Sequence, residues 1–370
     1  MRLTRLDLTD VRTIAQARLE PAPGLNLLIG ENGAGKSSVL EAIHLLGFGR
    51  SFRGRVRDGL VRTGAEALQV YVEWVDVGGK AHRAGIRHSG ASWEGRIDGQ
   101  AIAQLGDFCA AFAIVSFEPQ SHALVSGGGD PRRRFLDWGL FHVEPDYLTG
   151  WRRYQRALKQ RNALLKARRP GALDAWDHEL VQAAQPLQRA RQAYIAALLP
   201  HLQAVTELLL PSFGLATLEF MPGWKHDSLS LEDALLLGRE RDLALGHTGV
   251  GPHRADWRVD FVSRPDREPY SRGQAKLVAL ACLLAQARHL HAVRGEWPVI
   301  LLDDLASELD ARHRTRVLDE LAAAGAQVFI TSVDRLAELA GREVRVFHVE
   351  QGEIRWVDEQ NRPADMPGML

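Results

Sequence analysis

The chain has 370 residues, 45% of them hydrophobic and 25% charged, with 46 basic against 46 acidic side chains and a formal net charge of +0. That balance describes a folded protein of two or three domains with a sizeable core, and it excludes a peptide hormone, a small disulfide scaffold and a disordered chain. Neutral bulk charge neither requires nor forbids a polyanionic partner, so local charge has to decide.

The opening residues MRLTRLDLTD alternate without a leader-like apolar core, and the longest apolar run, Leu277 to Ala287, is too short to span a bilayer. A cytoplasmic protein without a membrane partner is the expectation. Cys109 and Cys282 are the two cysteines, which fits a reducing compartment and buried thiols. Lysine is confined to positions 36, 80, 159, 166, 225 and 276, so arginine supplies nearly all the positive charge.

Period-two alternation predicts strands at the start, ending in the apolar run Leu25 to Ile29, then a glycine-rich turn and a helix over about Lys36 to Leu46. From Leu68 to Ile102 short alternating segments with turns at Gly78-Gly79 and Ser89-Gly90 predict an antiparallel flank, followed by an apolar strand at Ala111 to Phe117. After Ser126-Gly127-Gly128-Gly129-Asp130-Pro131 the residues down to about Leu210 carry helical spacing. Pro170-Gly171, Pro186, Pro200 and Pro211 predict that they form a bundle of modest helices. Strands and helices then alternate: Leu215 to Met221, a helix at about Leu231 to Leu245, Trp257 to Val262, a helix from Arg272 to His291, Val299 to Asp303, a helix near Ala311 to Ala324, and Gln327 to Thr331.

Gly30-Glu31-Asn32-Gly33-Ala34-Gly35-Lys36-Ser37 satisfies G-x-x-x-x-G-K-[ST] between a predicted strand and a predicted helix, the context that motif requires. Its glycines let amides point at phosphate oxygens, Lys36 reaches the β and γ phosphates, and Ser37, followed by Ser38, ligates Mg²⁺. Magnesium on one hydroxyl needs a carboxylate, and Val299-Ile300-Leu301-Leu302-Asp303-Asp304 ends an apolar strand in two. Asp303 would hold the metal through water, and Asp304 could polarise the attacking water. Ser271-Arg272-Gly273-Gln274 opens the next helix and reads either as a simple N-cap or as a second anion site. Gln120 is a candidate contact to the metal and water, with an ordinary polar turn as the alternative.

Arg50, Arg53, Arg55 and Arg57 crowd the stretch after the P-loop helix, and Arg132, Arg133 and Arg134 with Arg152, Arg153, Arg161, Arg168 and Arg169 form a second set. Clustered arginine in a neutral chain suits sequence-independent phosphate contacts; ion pairs with Asp137, Asp146, Asp174 or Asp177 on solvated helix faces are the alternative. His247 and His253 flank Thr248 to Pro252 and read as hydrogen-bonded structural residues.

The order of P-loop, helical insert, Ser271 to Gln274, Leu301-Leu302-Asp303-Asp304 and Ser307-Glu308-Leu309-Asp310 resembles the ATPase heads of the ABC and SMC class. Within it the chain is similar to the bacterial RecF family, on Pro131 to Asp137, Thr248 to Asp256 and Asp303 to Asp310. The resemblance implies an α/β P-loop ATPase head with an inserted, mostly helical second domain: residues 1–126 and 241–370 for the two parts of the head and 127–240 for the insert. It further implies ATP and Mg²⁺ as ligands and a face-to-face homodimer in which Ser271 to Gln274 close the partner's site. A clamp on double-stranded DNA near single-strand junctions, working with RecR and RecO to load RecA, is implied as well. Arg272 stands where an ABC signature has glycine, and Asp304 where many such ATPases have glutamate, so slow hydrolysis and a switch-like use of ATP are expected. Thr331-Ser332 occupies the place of a transporter's switch histidine. A transporter ATPase subunit and a small-molecule kinase are the competing readings; the absent histidine weighs against the first, the signature-like segment and helical insert against the second.

Overall fold

The computed structural model describes residues 1–264 and 269–357. It begins with strands β1 (Arg2–Val11), β2 (Ile14–Leu19) and β3 (Leu25–Ile29) and helix α1 (Lys36–Phe48). Strands β4 (Leu68–Val75), β5 (Ala81–His88), β6 (Trp93–Ile97) and β7 (Gln100–Ile102) follow, then α2 (Leu105–Ala110) and β8 (Ile114–Phe117). A helical stretch holds α3 (Ala123–Ser126), α4 (Gly129–Val143), α5 (Tyr147–Lys166) and α6 (Leu173–Leu209). After it come β9 (Ala216–Met221), α7 (Leu231–Leu237), α8 (Arg239–Leu245), β10 (Asp256–Phe261) and α9 (Arg272–Arg294). The last described elements are β11 (Val299–Leu302), α10 (Leu305–Glu308), α11 (Ala311–Ala323), β12 (Val328–Ser332), β13 (Val344–Glu350) and β14 (Glu353–Val357).

Packing divides these elements into two compact units, residues 1–120 with the described residues from 295 onward, and residues 121–294. The sequence suggested that the head resumes at 241; the packing instead groups β10 and α9 with the second unit.

The first unit holds two six-stranded sheets. One is antiparallel in the order β2-β1-β4-β5-β6-β7, and the other runs β14-β13-β3-β12-β11-β8, parallel except for β14. Strand β11 is apolar at every position and fully buried, as a central parallel strand covered on both faces must be. Strand β4 keeps the alternation of a half-solvated sheet, burying Leu68, Val70, Val72 and Trp74. Every residue of α1 except Ser37 and Phe48 is buried. Val39, Ile43 and Leu46 share one core with Leu6 and Val70 of the antiparallel sheet and with Leu28 and Phe329 of the parallel one. Each such side chain contributes about 1.5–3 kcal/mol of burial, so the helix that opens at the P-loop is held from both sides. Gly49, at φ 65, ends it and donates its N–H to the Leu45 carbonyl.

In the second unit α6 runs for 37 residues through both Pro186 and Pro200, where shorter helices were expected. Both prolines face solvent, as do Gln182 and Ala196, whose carbonyls lose the amide partners that the prolines lack. The opposite face buries Leu180, Leu187, Leu198 and Leu202, which holds the helix through the two breaks. Pro211 does stop it, opening a short 3-10 turn. The single helix expected over 231–245 is divided at Gly238. Among the described residues no helix is long and apolar enough to cross a membrane.

Candidate functional site

The loop from Gly30 to Gly35 joins β3 to α1, and its glycines are required by geometry. Gly30 has φ 151, and a Cβ there would sit 2.1 Å from the Val349 carbonyl oxygen; Gly33 and Gly35 have φ 84 and 116. Gly35 is the N-cap of α1 and no side chain caps the helix; Ser38 N–H donates to the Gly35 carbonyl at 3.0 Å, while the amides of Lys36 and Ser37 and the positive dipole end are open to an anion. Glu31, Asn32 and Gly33 are exposed, whereas Ala34 and Ser38 are buried. Lys36 Nζ donates to the carbonyls of Gly30 at 2.6 Å and Glu31 at 2.8 Å. Burial lowers the Lys36 pKa, opposed by the carboxylates of Asp304 and Asp303.

Parallel pairing of β3, β12, β11 and β8 aligns their C-terminal ends, and the polar side chains there converge. Ser37 Oγ donates to Asp303 Oδ1 at 2.8 Å and Thr331 Oγ1 to the same oxygen at 2.7 Å. Asp303 is 1% exposed, and its Oδ2 is buried without a hydrogen-bond partner. Burial raises its pKa, against the hydrogen bonds from Thr331 and Ser37 and the charge of Arg53. A serine hydroxyl beside a carboxylate with an orphaned oxygen is a hard-oxygen set that fits Mg²⁺. Asp304 adopts the left-handed region at φ 52, its N–H donating to Thr331 Oγ1 at 2.8 Å and its Oδ1 accepting from Ser307 Oγ at 2.9 Å. A non-glycine residue there is strained and held by its surroundings, as is common at functional sites. Thr331 thus orients both acids, a role the sequence did not reveal, while Ser332 is buried.

Glu118 also belongs to this site, although no motif in the sequence marks it. It follows β8, the parallel neighbour of β11, and burial pushes its carboxyl up to about 7, helped by Asp303 and Glu308 and opposed by the Gln120 amide and Arg53. Gln120 is exposed, and its backbone N–H donates to Glu118 Oε2 at 2.6 Å. An acid one residue beyond a strand flanking the Asp303 strand was the available signal.

Arg53, read from sequence as a DNA arginine, is brought to this site instead: its guanidinium lies 3.8 Å from Asp303 Oδ2 and 3.9 Å from Glu41 Oε2. Glu41, fully buried on α1, accepts from Arg12 Nε at 2.9 Å and Nη2 at 2.7 Å and from the Ser51 hydroxyl, which ties the loop after α1 to the P-loop helix. Arg50, Arg55 and Arg57 are exposed. Arg132 and Arg133, the other candidate DNA contacts, are paired within the second unit. Arg132 binds Asp256 through two nitrogens at 2.5 and 2.8 Å, and Arg133 binds Asp130 and the Ala255 carbonyl, so their charge is neutralised inside the second unit.

Ser271 to Gln274 form a capping box at the start of α9. Ser271 Oγ accepts from the Gln274 amide at 3.3 Å and Gln274 Oε1 accepts from the Ser271 amide at 2.9 Å, leaving Arg272 and Gly273 exposed. In the same unit Tyr154 donates to His253 Nδ1 at 2.7 Å and His253 Nε2 to the Thr248 carbonyl at 3.0 Å, while Arg161, completely buried, binds Asp177, Asp242 and Thr248. Burial brings the His253 pKa down to about 4. The histidine is a neutral structural link.

A family model for the RecF/RecN/SMC N terminal domain matches residues 2–355. The DNA replication and repair protein RecF of Stenotrophomonas maltophilia is 58% identical over 96% of this chain and 99% of its own. That of Xanthomonas axonopodis pv. citri is 57% identical over 96% and 98%. Among solved structures, the recombination mediator protein RecF with ATP, described as of the RecFOR pathway, matches with a TM-score of 0.86 at 25% identity over 96% of this chain and 98% of that one. An SMC head bound to the C-terminal winged helix domain of ScpA matches with a TM-score of 0.58 at 14% identity over 96% and 97%, which speaks to the fold.

Proposed function

The chain belongs to the RecF/RecN/SMC N-terminal domain family and, by its near full-length relatives, to the RecF branch of it; on that premise we propose an ATP-dependent DNA-binding protein of recombinational repair and replication restart. The observation that carries the reading is the junction of Ser37 with Asp303, whose second oxygen accepts no hydrogen bond, beside an uncapped P-loop helix.

The open amides at the start of α1 receive the phosphates of ATP, and Lys36 leaves the carbonyls of Gly30 and Glu31 for the β and γ phosphates. Ser37 and Asp303 would hold Mg²⁺, which would supply charge neutralisation on those phosphates. Asp304 orients the attacking water as general base, and its short side chain keeps hydrolysis slow, so that ATP acts as a switch. Ser271 to Gln274 of one protomer close the site of its partner, which makes dimerisation depend on ATP. The resulting head-to-head clamp holds DNA at single-strand gaps or junctions and, with RecR and RecO, aids RecA loading. A cytoplasmic location follows from that role.

Sedimentation of the full chain without nucleotide, with ADP, and with ATP and Mg²⁺, each with and without gapped duplex, tests this. The expected result is an ATP-specific shift from monomer to dimer that tightens on DNA. A monomer in every condition that still consumes ATP would overturn the clamp and point to a small-molecule acceptor.

A further inference from the structure

The antiparallel sheet of the first unit turns a polar face away from α1, and that face carries a trough that the nucleotide site does not use. Ala84 and Ile86 are each 2% exposed and face the core, so alternation along β5 sets Arg83, Gly85 and Arg87 on the outer face. Tyr71 of β4 and Arg96 of β6 are the cross-strand partners of Gly85. Together they line a concavity of about 400 Å³ over that glycine. A second concavity, of about 730 Å³, shares Gln69 and Tyr71 with the first and continues over Thr9 and Gln16. The pair crosses β2, β1, β4, β5 and β6, about 19 Å at the spacing of neighbouring strands.

Glycine inside a strand weakens it and often marks a close approach by something else. Nothing in this fold demands one at 85: its φ is not positive, and an added Cβ would meet nothing nearer than Tyr71 Cδ2 at 3.8 Å. The missing side chain leaves the floor of the trough open. Its rim is basic. Arg83 and Arg96 are exposed and make no ion pair among the described residues, Arg87 reaches only the exposed Glu66 at 3.6 Å, and Glu94 is the one acid lining this end. The turn after β5 rests on the loop after α1, a Cβ on Gly90 falling 2.9 Å from Arg57 Cα, and exposed Arg57 is itself 3.8 Å from Asp58. Tyr71, the only aromatic lining either concavity, has Arg5 over its ring at 5.4 Å and donates its hydroxyl to Glu73 at 2.8 Å. It offers no free platform for stacking the bases of a single strand.

We propose that this trough seats the sugar-phosphate backbone of duplex DNA, with Arg83, Arg87 and Arg96 on phosphates and Gln69 and Thr9 as neutral donors. Arginine, glutamine and threonine are side chains that hold phosphates without reading sequence. The proposal rests on the DNA-binding reading above and gives that reading a surface.

The test is fluorescence anisotropy of a labelled duplex with the full chain, ATP and Mg²⁺ over a salt series. Replacing the three arginines together (Arg83→Gln, Arg87→Gln, Arg96→Gln) is expected to reduce the slope of log affinity against log salt by about 3 and to weaken binding at least tenfold, roughly what loss of three phosphate contacts predicts. Gly85→Val, a better strand former with room for its Cβ, is expected to weaken binding by a similar factor while the thermal midpoint and ATP affinity stay as in the wild type. Wild-type affinity and salt slope in both variants would overturn the trough and leave the DNA reading standing. A wild-type chain that binds no duplex overturns both. Tighter binding of single strands than of duplex through these arginines overturns the choice of duplex.

Discussion

Ser37 Oγ and Asp303 Oδ1 lie 2.8 Å apart, one hydrogen bond joining the start of α1 to the end of β11 across 266 residues of sequence. Thr331 donates to the same oxygen from the strand between them, so one carboxylate oxygen gathers three neighbouring strand ends. The other oxygen, Oδ2, has no hydrogen-bond partner, and that asymmetry is what a cation beside Ser37 would relieve.

Asp303→Asn keeps an oxygen for Ser37 and Thr331 but removes the charge. Mg²⁺-dependent hydrolysis is expected to fall by about two to three orders of magnitude. Without nucleotide the variant should be the more stable protein, because burial raises the Asp303 pKa and so penalises the charged form in the fold. That penalty is absent below the unfolded pKa and complete above the folded one, so the gain in thermal midpoint should grow as pH rises. An unaltered hydrolysis rate would sink the metal role of Asp303.

Glu118 makes a second, separable pH effect. It faces Asp303, Glu308 and Arg53, accepts from the Gln120 amide, and titrates at about 7 in the fold against 4.5 for a free side chain. A carboxyl raised in this way favours the fold below the unfolded value, and that contribution is lost as pH climbs from about 4.5 through 7. Glu118→Gln should therefore stabilise the protein by up to about 3 kcal/mol at pH 8 and by little at pH 5. Denaturant titrations at the two pH values check it; equal effects at both would mean that Glu118 stays ionised throughout.

Arg12 and Glu41 form a two-pronged pair at 2.9 and 2.7 Å whose carboxylate is entirely buried. Arg12→Met leaves that charge with the Ser51 hydroxyl and Arg53 at 3.9 Å, and the expected loss is about 3–5 kcal/mol. Glu41→Gln keeps oxygen and nitrogen in place and should cost less, about 1–2 kcal/mol. If chemical denaturation ranks the two variants the other way, the pair is not what ties the loop after α1 to the helix.

The P-loop and the Asp303 strand were legible because each is local: glycine spacing between an apolar strand and a helix, and an apolar run ending in acids. Glu118 and Thr331 were not, since their meaning comes from strand order, which sets β8 and β12 on either side of β11. Arg53 and Arg132 show the same limit for charge. A run of arginines records positive charge, but only the fold brings one to Asp303 and pairs another with Asp256. Pro186 and Pro200 misled on helix length because their solvent-facing placement on α6 is a tertiary fact. The outer-face trough was invisible in the same way, being made of alternate residues on separate strands around a glycine.

Ser271 has a structural duty as cap of α9 and a proposed one toward the partner's nucleotide, and one substitution separates them. Aspartate caps a helix as well as serine does, so Ser271→Asp should keep the thermal midpoint of the wild type, whereas Ser271→Ala should lose about 1 kcal/mol. A carboxylate placed against the phosphates of a bound nucleotide repels them, so Ser271→Asp should retain ATP binding, because the P-loop lies on the same protomer as Asp303, yet lose ATP-driven dimerisation in sedimentation. Ser271→Ala, with no added charge, should dimerise more nearly as the wild type does. If Ser271→Asp dimerises normally with ATP, the segment is a cap and nothing more; if it cannot bind ATP as a monomer, the division of labour between protomers is wrong.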